Sequence, residues 1–469
     1  MSNKEDTNKV VKASIWYTLS NILIKGIGFI TIPIFTRILS QSDFGSYNNF
    51  ASWFSILGVI SSMCLSSSLI RARFDYKDKL NDFVFSILVL GTLSTSIIYL
   101  IFCVKMEFFS TLLSLDKIYI HIMFICLLVN PAFSIFQLVQ RFKYNYKLSV
   151  LLSIGSTVIS VVLSLILVNS LSDRLFGRVF GMQLPLFVIS LAVYIYYFKK
   201  ARKVNVSYWK YALTISIPFV IHMLSNTLLS CVDRIMITKF DSEQTTALYS
   251  LAYNIALIIL VIFEAMNSAF APWLGEKLNS KQYKDIYKVS QKYIAVFAFL
   301  IIGVMLVAPE ALLILGGSTY ISAKYVIPPV MLGCFFVFLY TLYVNIEQFE
   351  KKTFGMALGT LIVVIINVIL NMIFIPIYGY IAAAYTTLFG YILLFIFHFI
   401  LVKKIGLTKI YNTKFIMLII IVESLVCLGV NFIYDNIIIR YIFLSVYILV
   451  FVVVAISQRK FIMSLLKRK

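Results

Sequence analysis

Fourteen apolar runs divide this chain, starting near Ser14, Phe44, Phe83, Lys117, Ser149, Leu175, Tyr211, Thr245, Val289, Tyr325, Gly355, Gly379, Lys414 and Ile438. Each is about 20 residues long, the length an α-helix needs to cross the hydrocarbon core of a bilayer. In lipid the backbone must satisfy its own hydrogen bonds, so only helices and closed barrels span it. A barrel would alternate apolar and polar residues over ~10-residue segments, and no such segment occurs. The expected fold is therefore an all-α polytopic membrane protein of about 14 transmembrane helices. The balance of 61% hydrophobic to 13% charged residues agrees. The first run follows "MSNKEDTNKVVK" and has no small-x-small cleavage site, so it is expected to be retained as a span.

The formal charge of +21 would suit a nucleic-acid partner if it were clustered. It is not. Of the 41 Lys and Arg residues, 31 fall in the termini and even-numbered connections, nine fall in the odd-numbered ones, and Lys25 lies inside a span. Cations accumulate on the cytoplasmic side of membrane proteins. The bias predicts that both termini face the cytoplasm, and no nucleic-acid partner is expected.

The six cysteines stand singly, without CxxC or Cys/His spacing, and read as apolar filler. No metal is expected. The loops are mostly about 5 to 15 residues long, too short for a soluble catalytic domain. They contain no GxxxxGK[ST], DxD, HExxH or GxSxG pattern. A transporter without a bound cofactor, with H+ or Na+ as the candidate coupling ions, fits better than an enzyme.

The chain also repeats itself. "RILSQSDFGSYNNFASW" (37–53) and "DRIMITKF…TTALYSLAY" (233–253) each carry an Arg, two apolar residues, a polar loop, a small residue and a Tyr. Arg37 falls on Arg234 at an offset of 197, and Tyr47 on Tyr249 and Lys79 on Lys281 at 202. "KLSVLLSIG" (147–155) faces "KKTFGMALG" (351–359) at 204. Small drifts of this kind indicate a duplicated six-span unit with loop insertions. Six is even, so the copies share one orientation, as in transporters whose substrate path lies between parallel repeats. The expected organisation is an N-terminal lobe over 1–205, a second lobe over 206–405, and two extra spans with a basic tail over 406–469.

The stretches 13–47 ("ASIWYTLSNILIKGIGFITIPIFTRILSQSDFGSY") and 228–256 ("LLSCVDRIMITKFDSEQTTALYSLAYNIA") resemble the Wzx-type polysaccharide flippases. That family belongs to the superfamily that also holds MATE exporters and MurJ. The resemblance covers roughly residues 10–405. Ala247 departs from the Gly more often found there, and many Wzx proteins are read with twelve spans. The resemblance implies a V-shaped pair of six-helix lobes that alternate between inward-open and outward-open states. It also implies a substrate, an oligosaccharide repeat unit on undecaprenyl diphosphate, carried to the outer leaflet of a bacterial inner membrane for O-antigen or capsule synthesis. Polysaccharide polymerase and glycosyltransferases would be its partners.

Lys25 is the sharpest candidate. An ammonium near the bilayer midplane costs at least ~2.5–3.5 kcal/mol, and Asn21 lies one turn earlier on the same face. Facing an aqueous cavity, the pair would receive a diphosphate. His222 stands twelve residues before Arg234, as Lys25 does before Arg37. His222, Asn226, Ser230 and Asp233 are spaced to form one polar stripe. Arg37 and Arg234 end their spans and either receive diphosphate or anchor in the headgroups. Glu264, with Asn267 a turn on, and Asp233 are the candidates for ion coupling or a cavity role. Arg174 and Arg178 are expected to anchor in the headgroups, Asn367 and Asn371 to bond between helices, and Glu423 to assist helix association. The rival readings are a MATE-type cation-coupled drug antiporter, which Glu264 alone would suit, and a membrane polymerase or glycosyltransferase. The latter needs catalytic groups in a large outer loop, and the loop near 105–117 offers only Lys105, Glu107, Asp116 and Lys117.

Overall fold

The computed structural model describes residues 2–457 except Arg202 and Thr353. The expected basic C-terminal tail lies outside the described residues. Among the described residues seventeen α-helices follow one another: α1 (Ser2–Ile38), α2 (Gln41–Ser62), α3 (Leu69–Asp75), α4 (Leu80–Val104), α5 (Met106–Leu113), α6 (Lys117–Phe142), α7 (Tyr146–Ser170) and α8 (Arg174–Lys200). They continue as α9 (Val206–Phe240), α10 (Glu243–Asn279), α11 (Tyr283–Leu306), α12 (Ala308–Gly316), α13 (Ile327–Phe349), α14 (Phe354–Tyr378), α15 (Tyr380–Ile405), α16 (Thr413–Ile433) and α17 (Ile437–Ser457). No strand occurs among the described residues. Among the described residues twelve helices are long and apolar enough to cross a membrane, and α2 with residues 65–75 makes a thirteenth, bent by 48°. The apolar stretch of α17 is shorter, Ile437–Val453. The fourteen apolar runs of the sequence are thus fourteen helical stretches, and the chain is a multi-pass membrane protein. Its many large apolar side chains left exposed, such as Ile30, Leu151, Ile314 and Phe432, are what lipid contact requires.

Element order repeats as well. Helices α1, α2, α4, α5, α6, α7 and α8 are followed by α9 to α15 in the same order, with a short helix in fourth place each time.

Caps explain where several helices begin. Ser40 adopts extended backbone and its hydroxyl accepts the Asp43 amide at the start of α2. Asp173, Asn205 and Asn412 do the same for α8, α9 and α16. Each satisfies an amide that has no partner in the first turn. α2 ends abruptly because Met63 and Cys64 both take left-handed backbone, with φ of 48° and 49°. Neither is glycine, so this bend stores strain that the surrounding packing must offset.

The chain forms two compact units, one running to Ser250 and taking in Asn371–Tyr380, the other holding Leu251–Leu370 and the chain from Ile381 on. In the first unit, Phe83, Phe136, Tyr197 and Tyr208 lead one apolar cluster, and Phe50, Phe124 and Val179 another. Helices α7 and α8 touch closely at a GxxxG pair. A Cβ on Gly177 or Gly181 would lie 2.8 or 2.4 Å from the backbone of Leu167 or Ser164, so small residues let the two backbones meet.

The two corners of the repeat also lie against each other in this unit. A Cβ on Gly45 would stand 1.8 Å from the carbonyl oxygen of Glu243. The Ser42 hydroxyl donates to the Glu243 carboxylate, and Lys239 Nζ donates to the Thr111 carbonyl at 2.9 Å.

In the second unit α13 is almost wholly buried, with Phe297, Phe335 and Phe338 stacked at its centre. Helices α16 and α17 dock on this unit at several points. Tyr447 stacks on Phe299 and donates to its carbonyl at 3.0 Å. Tyr434 donates to the Met305 carbonyl at 2.7 Å, and Arg440 pairs with Glu310. Between α16 and α17, Asp435 accepts from Lys324 at 2.5 Å and from the Tyr325 hydroxyl at 2.8 Å. These two donors hold its carboxyl below the usual carboxylate range.

Candidate functional site

Helix α1 carries Lys25 and Asn21 one turn apart, and both side chains are exposed. Four residues apart, they lie on one face of the apolar stretch Trp16–Ile38. At the end of α1, Arg37 is exposed and donates from Nη1 to the Pro33 carbonyl at 2.6 Å. Arg234, at the matching place in α9, donates from Nη1 to the Ser230 carbonyl at 2.9 Å. Each guanidinium thus folds back over its own helix by one turn, and the two corners share this detail.

The α9 stripe divides. His222 and Asn226 are joined, His222 Nε2 to Asn226 Nδ2 at 3.2 Å, and His222 Nδ1 is buried with no bonding partner. Ser230 turns to its own backbone at Thr227. Asp233, however, is 4% exposed, while Asn226 and Ser230 are exposed. Its carboxylate accepts from the Tyr249 hydroxyl at 2.6 Å and from Asn371 Nδ2 at 2.8 Å. Asp233 therefore ties the second corner to the end of α14 and does not continue the exposed stripe.

Removing that carboxylate strands two buried donors, each costing about 1–3 kcal/mol. Asp233→Ala is expected to lower the thermal midpoint of the purified protein by about 5 °C or more. Asp233→Asn, which keeps one acceptor oxygen, should lose roughly half as much. A midpoint unchanged in the alanine variant would show that these bonds do not contribute.

Glu264 lies exposed on α10, and its backbone carbonyl accepts from Ser268. One turn on, Asn267 accepts from Asn345 of α13 at 2.9 Å. Asn367 and Asn371 are fully buried and bond between helices, Asn367 to Thr387 at 3.1 Å and Asn371 to Asp233. Glu423 is 0% exposed and neither carboxyl oxygen has a hydrogen-bond partner.

Arg178 departs from its expected place in the headgroups. It is 8% exposed, with its guanidinium 3.5 Å from the Phe35 ring centre and 4.4 Å from that of Tyr47. Two aromatic faces replace water around the cation, so Arg178 binds α8 to α1 and to the first corner. Arg174 reaches the Ile38 carbonyl at 2.7 Å.

Sequence reading also missed a buried acid–imidazole pair in the second unit. Glu347 of α13 and His398 of α15 are 0% and 2% exposed, with Oε1 and Nδ1 2.8 Å apart. Both sit a few residues inside span ends, where a polar residue reads as interfacial. Glu347 lies two residues before the end of α13 and His398 seven before the end of α15, so neither position signals burial in the sequence.

A cavity of about 410 Å³ opens in the first unit, lined by Phe54, Gly58, Asn130, Ser134, Phe219 and Met223 among others. Both amide atoms of Asn130 are buried and lack partners, and the Phe219 ring lies against His222. The cavity is apolar with a few hydroxyls and one unsatisfied amide. It has no nucleophile–base pair.

Residues 10–278 match the family described as polysaccharide biosynthesis protein. That is more than half of the chain. The chain belongs to that family. A second match, to the MatE family, covers residues 218–377 of this polysaccharide biosynthesis protein. Over 333 residues it is 25% identical to "Lsg locus putative protein 1" of Haemophilus influenzae, covering 68% of this chain and 79% of the relative. In structure it is similar to "Lipid II flippase MurJ, inward closed conformation", with a TM-score of 0.72 at 15% identity. That likeness covers 96% of this chain and 100% of the other. It is also similar to an inward-facing multidrug resistance MATE transporter of the MOP superfamily, with a TM-score of 0.59 at 13% identity, covering 84% and 99%. The fold is therefore that of MurJ and the MATE transporters. These structural neighbours are flippases and transporters, not enzymes.

Proposed function

We propose that this polysaccharide biosynthesis protein is a flippase for oligosaccharide repeat units linked to undecaprenyl diphosphate, moving them from the cytoplasmic to the outer leaflet by alternating access. The observation that carries the reading is Lys25, an exposed cation nine residues into the apolar stretch Trp16–Ile38 of α1, with Asn21 on its face. A cation at that depth is costly unless water or an anion meets it, and a diphosphate is such an anion. His222, Arg234 and Arg37 would add donors as the headgroup moves along the path, with the sugars following. The duplicated units would be residues 1–205 and 206–405, and the charge bias would put both termini in the cytoplasm of a bacterial cell. Supply and use of the substrate would link the protein to glycosyltransferases and a polymerase of O-antigen or capsule synthesis.

The test is made on lipids of cells lacking the protein. Accumulation of the lipid-linked oligosaccharide on the cytoplasmic leaflet, cleared by restoring the chain, supports the reading. The second reading, a cation-coupled drug antiporter, is favoured by the exposed Glu264 and by the MatE match. It requires instead that such cells become sensitive to cationic compounds with no lipid accumulating.

A further inference from the structure

We propose that Glu347 and His398 form a proton-binding site of the transport cycle, holding one proton between them and taking a second on the free oxygen of Glu347. The inference rests on the flippase reading for its role in transport, but the site itself stands on its own geometry.

The pair joins α13 to α15 through Glu347 Oε1 and His398 Nδ1 at 2.8 Å. Its surroundings are aromatic. Tyr340 stacks on the imidazole at 5.7 Å between ring centres, and Phe397 meets it edge-on at 5.4 Å. The titratable groups on its own and neighbouring elements are phenols, one acid and, near the helix ends, lysines. Tyr340 and Tyr343 come from α13 itself. Tyr411, beyond α15, lies edge-on to Tyr343 and donates to the Leu342 carbonyl. From α11 comes Tyr293, which packs on Phe338. From α16, which packs on α13, comes the buried Glu423. Lys351, Lys352, Lys403 and Lys404 follow at the ends of α13 and α15. The ion pairs found among the described residues join Glu347 to His398 and to no other cation.

Two facts separate this pair from an ordinary buried clamp. With one shared proton it is neutral, as a carboxylic acid against imidazole or a carboxylate against imidazolium. Either form is tolerable in an apolar interior, and the two differ only in the position of one proton over a short bond. Second, Glu347 Oε2 is buried and accepts no hydrogen bond. A clamp built for stability alone leaves a costly vacant acceptor there. A second proton would settle on that oxygen and bring the pair to a net +1. Loss of the shared proton would leave it at −1. In low dielectric both charged states call for a change in the helices around them, so proton occupancy and helix arrangement are linked.

The experiment uses the full chain. Protein in nanodiscs is titrated between about pH 5 and 9 while the carboxyl infrared band is followed. The same protein in liposomes is loaded with undecaprenyl-diphosphate oligosaccharide, with and without an imposed proton gradient. In Glu347→Gln a titrating carboxyl should vanish from the infrared spectrum, and gradient-driven transport should fall about tenfold. Exchange without a gradient should persist. Glu347→Leu with His398→Leu replaces the pair by apolar volume and is expected to fold. A mere clamp predicts that this double variant transports normally under a gradient, and that result would overturn the proposal. So would an infrared titration unchanged in Glu347→Gln. If the carboxyl titrates but the wild-type chain moves no lipid-linked oligosaccharide, the flippase reading fails and the proton site is supported.

Discussion

Lys25→Ala should abolish clearance of the lipid-linked oligosaccharide to within about one hundredth of the wild-type rate. A hydrogen bond to a charged group contributes about 1.5–3 kcal/mol, and about 2.7 kcal/mol corresponds to a hundredfold. The sign of the accompanying change in insertion makes the result interpretable. Removing an ammonium from mid-span lowers the insertion cost by about 2.5–3.5 kcal/mol, so the variant should enter the membrane at least as well as the parent. Lost transport then cannot be put down to lost protein. Lys25→Arg keeps the charge and should stay within about tenfold of the parent, because a guanidinium also pairs with phosphate. Rates are read from the leaflet distribution of the substrate in cells making equal amounts of each variant. An alanine variant that clears substrate normally would remove Lys25 from the path.

The second large effect concerns stability. At Gly45 a methyl group would sit 1.8 Å from the Glu243 carbonyl oxygen, inside any allowed contact distance. Backbone cannot rotate away as a side chain can, so Gly45→Ala must part the starts of α2 and α10. Such overpacking costs about 3 kcal/mol or more. The bonds from Ser42 to Glu243 and from Lys239 to Thr111 would be disturbed with it. The expected outcome is little folded protein in the membrane and a purified fraction of low thermal midpoint. Ala247→Gly, at the equivalent position of the second corner, serves as the control. Ala247 is fully buried, and its exchange should cost about 1 kcal/mol. Equal stability of Gly45→Ala and the parent would show that the corners separate freely.

Apolar length alone gave the spans to within one or two of the 12 or 13 found among the described residues, because a bilayer imposes one length on every crossing. It also located the twin corners, since Ser40, Asp43 and the polar loops stop helices by local hydrogen bonding. Contact between those corners was not legible, because nothing in "SQSDFGSY" says that the carbonyl of Glu243 lies over Gly45. The kink after Ser62 was hidden for a different reason. Met63 and Cys64 carry no glycine or proline signal, and their left-handed backbone is imposed by packing. Arg178 misled because its charge suggests water, whereas Phe35 and Tyr47 supply its environment from other helices. The lone polar residues of the first span were easy to see against lipid-like sequence. Glu347 and His398 were not, since their meaning depends on a meeting across 51 residues of chain.

The docking of α16 and α17 has a practical consequence. Their anchors, Phe299, Met305, Glu310, Lys324 and Tyr325, all belong to the second compact unit. A probe attached to α17 is therefore a passenger on that unit alone. A fluorophore on the exposed face of α17 thus reports on the second unit without touching Lys25 or Glu264.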